Sequence, residues 1–173
     1  WGYKGYTQGV NESAAALFNE TASAFERKDM KTARSNAEKL ISEYDSTEYA
    51  ALAQIYLARA DVDAGKVKDA EARLVKLKKS GDLPAGVSQL VTLTLARLYL
   101  GQGKADQALE TLKHPAPAGY VALYEELRGD AYQASNRMED AKKAYKAAIK
   151  ALKPDDRYRT VLNLKLHGLG EAV

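Results

Sequence analysis

The sequence predicts an all-α fold assembled from helical hairpins that repeat along the chain, and three observations predict it. Ala and Leu dominate the apolar residues while Val, Ile, Thr and the aromatics are sparse for a sheet protein, a balance that favours helices. Gly and Pro fall mostly between the periodic segments, where they interrupt helices, not inside them. A small residue recurs as Ala33, Ala70, Ala108 and Ala141, at separations of 37, 38 and 33 residues, a spacing typical of stacked helical repeats. A chain of 173 residues is long enough for one domain with one core.

In chain order, the apolar periodicity predicts helices over 11–28, 30–44, 47–64, 67–79, 86–101, 105–113, 119–135, 138–152 and 155–167. That makes four hairpins and a last single helix. The connections within the hairpins correspond: Lys28-Asp29-Met30, Gly65-Lys66-Val67, Gly103-Lys104-Ala105 and Asn136-Arg137-Met138. Each offers a Gly or polar pair for a tight turn and then an anchor that opens the second helix. Between hairpins, Ser80-Gly81-Asp82-Leu83-Pro84 and the run 115–119 act as stops. Pro154-Asp155-Asp156 opens the last helix with carboxylates at the positive end of its dipole. Tyr158, Val161, Leu162 and Leu166 are expected to cover the apolar edge of the fourth hairpin, as the terminal cap of a right-handed solenoid must.

The fourth hairpin is the clearest, with Gly129, Tyr132, Ala141, Tyr145, Ala148 and Pro154 punctuating two helical patterns. This resembles a tetratricopeptide repeat. Twelve positions before each aligned Ala stand Thr21, Ala58, Ala96 and Gly129, all small enough for close helix approach. Four positions after it stand Ala37, Leu74, Leu112 and Tyr145. Where the pattern wants an aromatic on the first helix, Tyr99 and Tyr132 comply whereas Ala24 and Asp61 do not, so the first two repeats diverge.

Function classes narrow by exclusion. Against 23 acidic residues stand 26 basic ones, a net charge of +3, too little for a nucleic-acid binder that must neutralise many phosphates. No cysteine is present, which removes disulfides, thiolate chemistry and Cys-based zinc sites. His114 and His167 have no ligand-spaced partner. Gly101-Gln102-Gly103-Lys104-Ala105 lacks the Gly spacing and the Ser or Thr of a phosphate loop. The expectation is a non-enzymatic protein without cofactor or metal. Lys142, Lys146, Lys150 and Lys153 form one helical stripe, read as a solvated face or as a contact for an acidic partner or lipid headgroups.

If the first helix of every hairpin lines a concave face, equivalent offsets should form one surface. Fifteen, eleven and eight positions before the aligned Ala stand Phe18, Ala22 and Phe25, then Ile55, Arg59 and Val62, then Leu93, Arg97 and Leu100, then Glu126, Asp130 and Gln133. The predicted peptide groove comprises Phe18, Phe25, Ile55, Arg59, Val62, Leu93, Arg97 and Leu100, with apolar pockets for side chains and two Arg for backbone carbonyls or carboxylates. The competing reading packs these apolar residues inside the fold.

The Tyr-containing arm with Tyr3 and Tyr6, the divergent Ala-rich repeats and the closing Leu162-Asn163-Leu164-Lys165-Leu166-His167-Gly168-Leu169 together resemble the YfgM-like family of bacterial ancillary subunits of the Sec translocon. The resemblance implies a periplasmic tetratricopeptide domain held at the inner membrane by one N-terminal helix. It also implies partners among translocon subunits, a parvulin-type periplasmic chaperone and possible client polypeptides. On that basis 1–10 is a juxtamembrane linker and 11–173 the repeat domain, with Trp1 at the outer end of a membrane helix absent from this chain. The alternative is a soluble tetratricopeptide adaptor of an unrelated complex.

Overall fold

The computed structural model describes residues 2–170. Among the described residues it contains nine α-helices and no strand: α1 Gly2–Glu26, α2 Met30–Glu43, α3 Glu48–Asp63, α4 Val67–Lys79, α5 Ala85–Gly101, α6 Ala105–Thr111, α7 Val121–Ala134, α8 Met138–Ala151 and α9 Tyr158–Gly168. These match the predicted segments, with one large difference. Helix α1 starts at Gly2 rather than near residue 11, because Gly5 and Gly9, read as linker residues, weaken a helix without preventing it. Trp1 and the side chains of Tyr3 and Tyr6 lie outside the described residues.

All four hairpin turns share one backbone solution. Lys28, Gly65, Gly103 and Asn136 have φ of 60°, 75°, 71° and 58°, the left-handed conformation that ends a helix. The next N–H reaches back five residues in every case, from Asp29 to Ala24 O, Lys66 to Asp61 O, Lys104 to Tyr99 O and Arg137 to Tyr132 O, at 2.7–2.9 Å. The bond satisfies a carbonyl that the helix end would otherwise leave without a partner. Asp29 also caps α2, its carboxylate accepting the Thr32 N–H at 3.2 Å. These hydrogen bonds with Thr32 hold the Asp29 carboxyl below its usual pKa.

The chain divides into two compact units, with the boundary inside α5 after Val91. In the first unit α1 packs on α2, α3 on α4, and α3 also on α1 and α2. Its core joins Ala14, Ala37, Leu40, Ala53 and Leu57. In the second unit, Leu93 and Ala96 of α5 cluster with Leu112, Tyr124 and Leu127. A further cluster joins Ala141, Tyr145 and Ala148 of α8 to Leu162 and Leu166 of α9. The short α6 is held at its C-terminal end by Arg128, whose guanidinium donates to the carbonyls of Leu112 and His114.

Candidate protein-interaction surface

The structure separates the predicted groove residues into two groups. Ile55 and Leu93 are 3% and 2% exposed, so these two are core rather than groove anchors. In the first repeat the position fifteen before the aligned Ala faces the next hairpin, not an open surface. Phe18 makes this plain, lying 5.6 Å from the ring of Tyr49 and 5.6 Å from that of Tyr56, both on α3. Phe25 is half-buried and stacks on Tyr56 at 5.1 Å. Leu100 is half-buried against the cluster of Leu93. Only Arg59, Val62 and Arg97 of the predicted set are exposed. Arg59 and Val62 lie three apart on α3, one helical face of the first unit.

In the fourth repeat the same three offsets build a polar lock that is legible in the sequence only as an acidic turn of the surface. Glu126, 6% exposed, accepts from the Tyr158 hydroxyl at 2.8 Å and from Lys165 Nζ at 2.8 Å. Lys165 also donates to Asp130 Oδ1 at 2.6 Å. The Tyr145 hydroxyl donates to Asp130 Oδ1 at 2.7 Å and lies 3.0 Å from Gln133 Oε1. A buried carboxylate persists only when it is paired and hydrogen-bonded, and α9 supplies both partners of Glu126. Burial opposes the charge on Lys165, but its hydrogen bonds to Asp130 and Glu126 outweigh it and hold the ammonium above its ordinary pKa. Burial, then the Glu126 hydrogen bond, raises Tyr158, and burial followed by Asp130 raises Tyr145 further.

The first unit has a counterpart at Asp61, which stands where the repeat pattern wants an aromatic. Asp61 is 3% exposed and pairs with Arg34 of α2 at 2.8 Å and Arg73 of α4 at 3.5 Å. An ionic tie thus replaces apolar packing between helices of adjacent hairpins. Arg73 also lines a cleft of about 870 Å³ with Thr47, Glu48, Asp69, Lys76 and Asp82. Among the described residues no group of three or more His, Cys, Asp or Glu is placed to hold a metal. Nor is any described helix long and apolar enough to cross a membrane.

Hairpins of near-constant pitch, one repeated turn and side chains locked between successive first helices define a helical-repeat protein of the tetratricopeptide class. A family model described as a tetratricopeptide repeat-like domain matches residues 1–171. An ancillary SecYEG translocon subunit of Neisseria gonorrhoeae (strain ATCC 700825 / FA 1090) is 30% identical over 175 residues, covering 97% of this chain and 83% of that protein. An ancillary SecYEG translocon subunit of Escherichia coli (strain K12) is 33% identical over 116 residues, which cover 66% of this chain and 55% of that protein. The chain belongs to this tetratricopeptide repeat-like family of ancillary translocon subunits. A role in protein interaction follows from that membership and from the repeat architecture.

Proposed function

We propose that the protein is a non-enzymatic accessory of the Sec translocon, tethered to the inner membrane by a helix upstream of this chain, with the repeat domain in the periplasm. In this reading the domain links the export channel to a periplasmic chaperone of the parvulin type and to emerging client segments. The observation that carries it is the similarity to a translocon subunit along 97% of the chain. The exposed Arg59 and Val62 of α3 and the exposed Arg97 of α5 are candidate contacts, each within its own unit, for carboxylates and apolar groups of a bound segment.

The full natural protein, solubilised from membranes in mild detergent, should co-purify with SecYEG and with the chaperone. In intact spheroplasts the repeat domain should be open to added protease. Co-purification with neither partner, or protection of the domain from protease, overturns the reading. Replacing Arg59 and Arg97 with Glu should weaken partner recovery at least tenfold, because reversing an interfacial cation repels the group it paired with.

A further inference from the structure

In three places one residue of a hairpin is held by the first helix of the next hairpin in the same register. Phe18 lies against Tyr49 and Tyr56. Leu93 shares a core cluster with Leu127 of α7, and Tyr120, the N-cap of α7, packs against that cluster. Glu126 accepts hydrogen bonds from Tyr158 and Lys165. Each holding pair is seven residues apart, two turns of one helical face, and a tyrosine leads it every time.

The three held residues, with Ile55 at the same offset in the second repeat, recur at the chain's own pitch. From 18 to 55, 93 and 126 the steps are 37, 38 and 33, and a further step of 38 reaches Leu164. Two features fix that register. Tyr158 and Lys165 stand six before and one after Leu164, as Tyr49 and Tyr56 do about Ile55. Leu162 and Leu166 flank it as the core pair of α9, as Ala53 and Leu57 flank Ile55 on α3. Yet Leu164 is 67% exposed, and Val161 one turn earlier is exposed with it. A solenoid helix left open to solvent needs a polar outer face, and on α9 Leu164 and Val161 break it.

We propose that Leu164 and Val161 seat a helix of a partner protein, one that presents an aromatic residue and, seven positions on, an apolar one. Carboxylates should flank that stripe, because beyond Lys165, paired with Glu126 and Asp130, and Lys142, paired with Glu139, residues 143–168 hold six further Lys or Arg against two Asp, a field that favours an acidic partner. A second copy docking head to tail would offer α1, whose residues at the holding positions are the exposed Glu12 and Asn19. Pairing α9 with α9 would set basic surface against basic surface. The assignment of this helix to a translocon-associated protein rests on the function proposed above; the seat itself does not.

The test uses the full natural protein in its own membranes, with a photo-crosslinking benzoylphenylalanine at position 164 and, separately, Leu164→Glu and Val161→Glu. Both positions are exposed, so thermal unfolding should match wild type. The adduct should map to a helix of another protein with an aromatic at i and an apolar residue at i+7. Each Glu variant should lower recovery of the cross-linked protein, and of SecYEG, at least tenfold, while Lys68→Glu, at an exposed position on α4, should leave both unchanged. An adduct within the same chain or to a second copy, no adduct, or undiminished recovery of the cross-linked protein by the Glu variants overturns the seat. Failure of the wild-type protein itself to recover SecYEG, with the 164 adduct still mapping to such a helix, overturns the translocon reading and supports the seat.

Discussion

The ring of Tyr145 rests so closely against Gly129 that a Cβ on the glycine would stand 2.4 Å from Cε1. The ring cannot step aside, since Tyr145 is fully buried and its hydroxyl is tied to Asp130. Sizes at these two offsets trade against each other along the chain: Thr21 with Ala37, Ala58 with Leu74, Ala96 with Leu112, and Gly129 with Tyr145. Gly129→Ala should therefore overpack the hairpin and cost about 1–3 kcal/mol. Thermal unfolding checks it, and adding Tyr145→Leu should recover part of the loss.

The lock between α7 and α9 predicts a non-additive pair. Lys165→Met leaves Glu126 buried without its cation and should cost about 2–4 kcal/mol, toward the lower end because Lys165 is 28% exposed. Combined with Glu126→Gln, the loss should be smaller than for Lys165→Met alone, since no buried charge is then stranded. A double-mutant cycle in denaturant measures this coupling.

The same groups set an alkaline limit. Lys165, Tyr145 and Tyr158 all bind their protons more tightly when folded. Their stabilisation is complete below the ordinary values of 10.0 for tyrosine and 10.5 for lysine. It is lost as pH rises through the folded values, because the unfolded chain releases the protons first. The unfolding midpoint should fall from about pH 10 upward, and less steeply in Tyr145→Phe, as a pH series of thermal melts will read.

The hairpin turns predict opposite signs for adding and for removing a glycine. Lys28 has φ of 60° where Gly65 and Gly103 supply the glycine that this conformation favours. Lys28→Gly should stabilise by up to about 1 kcal/mol, and Gly103→Ala should destabilise by about 1–2 kcal/mol. Denaturant midpoints at constant slope will distinguish them.

The burial of Ile55 and Leu93 makes a fifth case. Replacing both with Asp places unpaired charges in the core and should unfold the chain or cost more than about 4 kcal/mol. Val62→Asp, at a 39% exposed position, should change stability by less than about 0.5 kcal/mol. Circular dichroism during heating separates the two outcomes.

Much of this was legible in the sequence. Helix positions other than the start of α1, the four matched turns and the close approach at Gly129 all follow from local spacing, since the residues that end a helix or let two helices meet lie near one another in the chain. Tertiary structure alone decided which side of each first helix is open. The offsets of Phe18, Ile55, Leu93 and Glu126 mark one helical face, but periodicity gives a face only relative to its own helix. Whether solvent or the next hairpin covers that face depends on residues some 30 positions away, such as Tyr49 for Phe18 and Tyr158 for Glu126. The ionic ties of Asp61 and Glu126 were hidden for the same reason: a carboxylate in sequence looks like surface until the cations that allow its burial arrive from another helix.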